Sequence, residues 1–407
     1  MTGVSTRAAA ESAARAGFAV TAIDAFGDLD QHPSVRGLSL PRDFGARFTA
    51  RAVARVSRSI ECDAVVYLSS FENHPNAVAT LAAGRALWGN PPDVLRRVRD
   101  PLLLAAALRD RGFAAPAIPS FGSLASPKPS GEGGLAAPKP LGEGGWLVKP
   151  LQSGGGHRVR PWRLGARVPR RCYLQEYIDG LPASVVFVAA GGRAVPLGVS
   201  CQLVGEPAFG ASGYRYCGNV LVSAGDPHLG NDVVDAVCEL ARHVSEEFRL
   251  VGVNGIDFIA RDGIPYAIEV NPRWSSSMEL VERAYGVSVF GAHAAACANG
   301  ALPTFDLARA RRSGRASGKA VVFARTDVIA GDTRPWLEDA TVRDVPVPGE
   351  RISAGQPVCT VFAEQVSAAA CHAALARRAE AVYEAIATWQ HGGRRLQVTL
   401  EQKRATT

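Results

Sequence analysis

Residues 252–274 read GVNGIDFIARDGIPYAIEVNPRW. Two apolar stretches flank Arg261-Asp262-Gly263, a turn composition, so the run predicts two antiparallel strands joined by a tight turn. Asp257 lies on the first strand, Glu269 on the second, and Asn271 just past its end. Taken singly, each acid reads as an exposed hairpin residue. Together, two carboxylates and an amide oxygen on paired strands are hard oxygen ligands of the kind Mg²⁺ takes when phosphates complete its coordination. Arg273, two residues beyond the amide, adds a cation to the group.

Upstream, WLVKP (146–150) predicts a strand ending at a lysine, and SGGGH (153–157) follows it. Consecutive glycine amides can turn inward with no Cβ in the way, so Gly154, Gly155 and Gly156 form a candidate phosphate loop; a plain hairpin turn is the bland alternative. Only five of the 45 basic residues are lysines, which raises the interest of Lys149. Two other glycine clusters belong to a tandem repeat, LASPKPSGEGG (124–134) and LAAPKPLGEGG (135–145). That Pro/Gly/Ala segment lacks the apolar content to bury anything and predicts a linker or insertion over 119–145. Beyond the glycine loop, YLQEYI (173–178) reads as a strand, Asp179-Gly180 as a turn, and SVVFVAA (184–190) as a buried strand.

The front of the chain alternates helix and strand signals, the rhythm of a parallel α/β sheet. Helices are predicted over 6–16, 44–57, 75–87 and 101–111, and strands over 18–23 and 64–68. A doubly wound unit normally opens on a strand, yet Gly3-Val4-Ser5 opens this chain, so either the first strand is absent or this sequence starts downstream of the true beginning. SSFENHP (69–75) follows the AVVYL strand, at the edge where open α/β sheets bind ligands. There Glu72 and Asn73 are candidate substrate-side residues, with helix capping by Asn73 ahead of Pro75 as the alternative.

A chain of 407 residues, 47% hydrophobic and 20% charged, predicts two or three globular units. The net charge of +7 is scattered arginine and not an aromatic-interleaved stripe, which disfavours nucleic acid and suits an anionic small substrate. The eight cysteines include no C-x-x-C pair and the front carries no signal-peptide pattern, so reduced thiols and a cytoplasmic protein are expected. No apolar run approaches a bilayer span, which predicts no membrane segment.

With these motifs assembled, the sequence resembles the ATP-grasp superfamily. Lys149 in VKP, the loop SGGGH, Gln175-Glu176-Tyr177-Ile178, Asp257 in GIDFI and Glu269-Val270-Asn271-Pro272-Arg273 carry the resemblance, in family order over roughly residues 5–365. DVPVPGERISAGQPVCTVFA (344–363) looks like the β-rich tail of the branch with biotin carboxylase-like and amino-acid ligase members. The resemblance implies an α/β and α+β chain: a Rossmann-like pre-ATP-grasp domain over 1–118, an ATP-grasp domain over 146–312, and a β-rich tail with a final helix over 313–407.

It also implies residue roles. Lys149 would hold the α- and β-phosphates, and Gly154, Gly155 and Gly156 would close over the β- and γ-phosphates. Glu176, Tyr177 and Ile178 look like the hinge for adenine and ribose. Asp257, Glu269 and Asn271 would bind Mg²⁺, with Mn²⁺ as a substitute, and Arg273 would face the transferring phosphoryl group. Two positions depart from the pattern. Ala183 stands where many relatives carry a ribose acid, and Arg99-Asp100-Pro101 stands where many carry Asp-Lys, leaving Arg99 as the substitute cation. The implied activity is an ATP-dependent carboxylate–amine ligase acting on small molecules through an acyl phosphate, similar to tyramine–glutamate ligase of methanofuran-type cofactor synthesis. The alternatives are a bicarbonate-activating carboxylase or a nucleotide-binding protein without turnover, and a homodimer is an arrangement the resemblance allows.

Overall fold

The computed structural model describes residues 1–119, 145–226, 229–312 and 315–404, with side chains through 389. Both repeat copies, and with them the expected linker, lie outside the described residues apart from Pro119 and Gly145.

The front unit runs α1 (Arg7–Arg15), β1 (Val20–Asp24), β2 (Val35–Ser39), α2 (Leu40–Phe44), α3 (Ala50–Val56), β3 (Ala64–Val66), α4 (Pro75–Ala82), β4 (Ala86–Trp88), α5 (Pro92–Val98) and α6 (Pro101–Asp110). Pairing is parallel, β1 with β2 and β3 with β4. Three expectations are corrected here. The missing first strand is present in miniature: Thr2 bridges in parallel to both Ile23 and Tyr67, joining the two pairs into one sheet. The predicted helix over 44–57 is interrupted, because Gly45 closes α2 in a left-handed conformation and the Thr49 hydroxyl accepts from the Ala52 amide to start α3 afresh. The predicted helix over 75–87 ends at Ala82, after which Ala86–Trp88 joins the parallel sheet.

Two antiparallel sheets follow. The smaller, order β6-β5-β7, contains β5 (Trp146–Pro150), β6 (Arg160–Pro161) and β7 (Cys172–Glu176). The larger begins with β8 (Leu181–Ala190), β9 (Arg193–Val204) and β10 (Tyr216–Leu221). After α7 (Asn231–Phe248) come the predicted hairpin strands, β11 (Gly252–Arg261) and β12 (Ile264–Asn271), then α8 (Ser276–Tyr285), α9 (Val289–Asn299) and α10 (Leu307–Arg311). The tail adds β13 (Ala316–Phe323), β14 (Val328–Ile329), β15 (Val342–Arg343), β16 (Arg351–Ile352), β17 (Pro357–Gln365) and α11 (Ala368–Arg404). The eight strands run in the order β12-β11-β8-β9-β10-β13-β17-β15, so the tail completes the same sheet that the hairpin begins.

Strand β8 shows how this sheet is fixed. Its apolar residues alternate faces with period two. Val185, Phe187 and Ala189 pack into one core with α5, α6 and α7, whereas Val186, Val188 and Ala190 pack into another with α1, α8 and α9. Phe187 is fully buried, a gain of about 2–3 kcal/mol for that side chain alone. A third core, including Val322, Val361, Leu375 and Val382, seals the tail strands beneath α11. All eight cysteines are free thiols. Among the described residues no helix is long and apolar enough to cross a membrane.

Candidate active site

The hairpin forms in the predicted register. Asp257 pairs directly with Glu269, and Gly255 with Asn271, so both carboxylates and the amide share one face. A bulge follows, with Phe258 opposite Ala267, which leaves Ile268 as the extra residue. Its carbonyl, free of the ladder, accepts from Lys149 Nζ at 3.5 Å and from Gln175 Nε2 at 3.4 Å. A local irregularity in the larger sheet thus receives two side chains from the smaller one.

The acidic plate is held by donors. Asn271 Nδ2 and Gln202 Nε2 each donate to Asp257 at 2.9 Å, and Arg99 Nη1 pairs with Glu269 at 2.5 Å. Desolvation, then the neighbouring Glu269, pushes Asp257 up to about 6. Desolvation would raise Glu269 as well, but Arg99 and then Lys149 outweigh it and hold that carboxyl below its usual value. Two adjacent carboxylates under this strain suit a divalent cation, which would replace the amide and guanidinium donors as the compensating charge. Among the described residues no group of three or more His, Cys, Asp and Glu side chains gathers to hold a metal. The Asp257, Glu269 and Asn271 set therefore fits an ion that takes further oxygens from phosphate and water.

Lys149 projects from β5 and is 7% exposed, with Nζ 3.0 Å from Gln175 Oε1. The glycines after it differ in their constraints. Gly155 and Gly156 are left-handed, at φ 60° and 72°, and Gly154 is not. A Cβ on Gly156 would lie 1.7 Å from the Tyr214 carbonyl oxygen, while Gly154 faces open space. The Tyr216 amide donates to the Gly155 carbonyl at 3.1 Å, so the loop is docked against the start of β10.

At the hinge, Glu176 Oε2 accepts from the Ala117 amide at 2.9 Å, and the Tyr177 amide donates to the Gly145 carbonyl at 3.1 Å. The Tyr177 N–H is committed to that carbonyl, and Glu176, Tyr177 and Ile178 all line the cavity wall. Ala183 is fully buried in the core and is not on the cavity wall.

The front unit supplies the rest. Arg273 donates from Nη2 to Glu72 Oε1 at 2.9 Å and to Asn271 Oδ1 at 3.0 Å. Arg99 Nη2 donates to Asn73 Oδ1 at 2.9 Å and to the Ser153 carbonyl at 3.1 Å, tying the glycine loop to the acidic plate. The capping alternative for Asn73 is overturned: His74 is the N-cap of α4 and makes no side-chain cap bond, because Pro75 at the first turn leaves fewer amides to cap. His157 is exposed and is not on the cavity wall.

Lys149, the three glycines, the hinge residues, Asp257, Glu269, Asn271, Arg273 and Glu72 all line one cavity of about 830 Å³. Sequence reasoning missed Gln202, Tyr216 and Lys319, which line it too. Only Lys319 carried a signal, as another of the five lysines.

The ATP-grasp domain family matches residues 98–277. An uncharacterized protein of Methanocaldococcus jannaschii is 25% identical over 193 residues, 47% of this chain and 42% of that one, so the match spans less than half of that relative. The L-amino acid ligase of Bacillus licheniformis superposes with a TM-score of 0.62 at 15% identity, over 93% of this chain and 96% of that one. Biotin carboxylase of Campylobacter jejuni gives 0.64 at 14% identity, over 89% and 86%. Residues 98–277 are an ATP-grasp domain, set in a chain with the ATP-grasp fold.

Proposed function

We propose that the protein is an ATP-dependent ligase that joins a carboxylate to an amine through an acyl phosphate. The observation that carries this reading is the pair of Lys149 and Arg273 beside the Asp257–Glu269–Asn271 plate within a single cavity, with Arg99 paired to Glu269 from outside its wall. Phosphoryl transfer is catalysed by positioning and by neutralising charge, and needs no nucleophilic side chain.

In this reading Lys149 and the amides of the glycine loop bind the nucleotide phosphates, and Glu176, Tyr177 and Ile178 border the adenosine. Asp257, Glu269 and Asn271 would hold Mg²⁺, which when bound supplies positive charge at the β- and γ-phosphates. Arg273 orients the substrate carboxylate. A carboxylate oxygen attacks the γ-phosphorus, the bond to ADP breaks, and an acyl phosphate forms. An amine then attacks the acyl carbon, phosphate leaves with the C–O bonding pair, and the ammonium proton passes to phosphate or solvent.

One observation favours a second reading. Glu72 is 1% exposed, and its Oε2 has no hydrogen-bond partner. A base in that place is what activation of bicarbonate would require. The experiment incubates the protein with Mg-ATP and pairs of small carboxylates and amines, starting with glutamate and an aromatic amine such as tyramine. The ligase reading expects ADP release that needs both partners, and a product lighter than their sum by one water. ADP release that needs bicarbonate, with no condensation product, would replace it with the carboxylase reading.

A further inference from the structure

The cavity continues well past the phosphate-binding residues. Its floor crosses the large sheet from Asp257 on β11 through Gln202 on β9 and Asn219 on β10 to Lys319 on β13. Four strand steps separate β11 from β13, about 19 Å. Beyond Lys319 the wall passes to the front unit, at Ser5, Arg7, Phe26 and Asp28, and to Asp344 of the tail. Ser5 and Arg7 follow the Thr2 bridge at the start of α1, and Phe26 and Asp28 follow β1 in the loop to β2, so all four lie past the ends of parallel strands, an edge suited to ligands.

Arg7 opens α1 and is fully buried. Its Nε donates to Asp344 Oδ1 at 2.9 Å, and Nη1 pairs with Glu279 at 2.7 Å and with Glu11 at 3.1 Å. Lys319 Nζ holds the other oxygen of Glu279 at 2.6 Å. The guanidinium is thus fixed in place, yet its Nη2 has no hydrogen-bond partner. Around it, the neighbouring acids are satisfied. Asp24 accepts from Thr6 and from the Phe26 and Gly27 amides, Asp30 from the Asp344 and Val345 amides, and Asp344 from Arg7 and the Thr360 hydroxyl. Asp28, 8% exposed, is the exception: its Oδ2 is buried without a partner.

A buried donor and a buried acceptor left unpaired on one cavity wall each carry an uncompensated desolvation cost. A ligand presenting both complements removes both costs at once. We propose that this end of the cavity binds an amino-acid head group, with Asp28 Oδ2 taking the ammonium and Arg7 Nη2 the carboxylate. The proposal rests on the ligase reading only in placing the reacting group at the Arg273 end. Given the length of the floor, the substrate is extended, a γ-linked dipeptide or a long-chain amino acid that keeps both groups on one Cα, and a short amino acid fills one end alone.

The test is calorimetry on the full chain with Mg-ADP present, titrating lysine, glutamate, γ-glutamyl-alanine and γ-glutamyl-glutamate, each beside the analogue lacking its head-group ammonium and the carboxamide of its head-group carboxylate. At least one zwitterion binds, and removal of either the α-ammonium or the α-carboxylate weakens it by about tenfold or more. Asp28→Asn weakens the same compound about tenfold and brings it level with its deamino analogue, leaving Mg-ADP affinity unchanged. Failure of every zwitterion to outbind its deamino analogue overturns the proposal, and that comparison needs no variant. An Asp28→Asn protein that discriminates as the parent does overturns it equally. Zwitterion binding that depends on Asp28 without any condensation product would sink the ligase reading and leave this site standing. Condensation with a KM indifferent to Asp28→Asn would do the reverse.

Discussion

The two antiparallel sheets that face each other across the cavity are built to opposite specifications. In the larger, β8 is buried along nearly its whole length, with a core on each face. In the smaller, β6 is fully exposed and Leu164 is 77% exposed. Between Trp146 and Gln175 there are six arginines and no acid. The small sheet meets the rest of the site through a few polar contacts: Lys149 and Gln175 on the Ile268 carbonyl, Arg99 on the Ser153 carbonyl, and Tyr216 on the Gly155 carbonyl. Ligands on the large sheet are therefore set by core packing, and those on the small sheet by contacts that can be broken and remade. A substitution on the lid should separate function from stability cleanly, whereas beneath the floor the two are entangled.

The sharpest test removes a proposed metal ligand from the floor without touching its core. Glu269→Ala or Asn271→Ala should cut Mg-ATP turnover by about 100- to 1,000-fold with the circular dichroism spectrum retained. Near-parental turnover in either variant would remove the acidic plate from the chemistry. The underside of the floor should respond to acid instead. His293 is buried below β11, its Nδ1 accepts from the Val253 amide at 3.0 Å, and burial lowers it from 6.5 to about 4. The unfolded chain takes up that proton first, so the stability involved is fully present above pH 6.5 and is lost as pH falls towards 4. Urea unfolding should register about 3 kcal/mol over that window, and a flat profile would show that His293 is not held neutral.

On the lid, Gly156→Ala should lower turnover by about 100-fold by lifting the loop off Tyr214, with an unchanged melting temperature. Equal harm from Gly154→Ala, which has room, would mean that loop docking is not the cause. Lys149→Ala should weaken ATP binding by about 1.5–3 kcal/mol in calorimetry, and an unaltered affinity would take Lys149 out of the phosphate site. Exposed lid arginines should matter least: Arg163→Ala should shift stability by no more than about 0.5 kcal/mol in thermal unfolding. A larger change would show that Arg163 is packed within the lid.

The same division governs what the sequence revealed. The β11–β12 hairpin was legible because its turn residues and apolar alternation are local, and its register followed, bringing Asp257 opposite Glu269. Lys149 and the glycine loop were legible for the same reason. The bulge at Ile268 was not, since it exists only in the pairing of two strands. Nor were the contacts that close the site: Arg99 reaches Glu269 across 170 residues and Arg273 reaches Glu72 across 201, distances at which spacing carries no signal. The helix expected over 44–57 failed on cap chemistry, because Gly45 and Thr49 act within a pattern that otherwise reads as continuous.

The burial of Arg7 sets an order of events during synthesis. Its partners arrive at very different times: Glu11 and Asp30 almost at once, Glu279 much later, and Asp344 later still, 337 residues downstream. At about 5–20 residues per second, the ribosome needs roughly 17–70 seconds to deliver that last carboxylate. Until then the guanidinium is better solvated by water than enclosed, and the start of α1 has reason to stay loose on a nascent chain that has already made its whole nucleotide-binding half. A helix translated hundreds of residues before its last partner is thus among the last to lock.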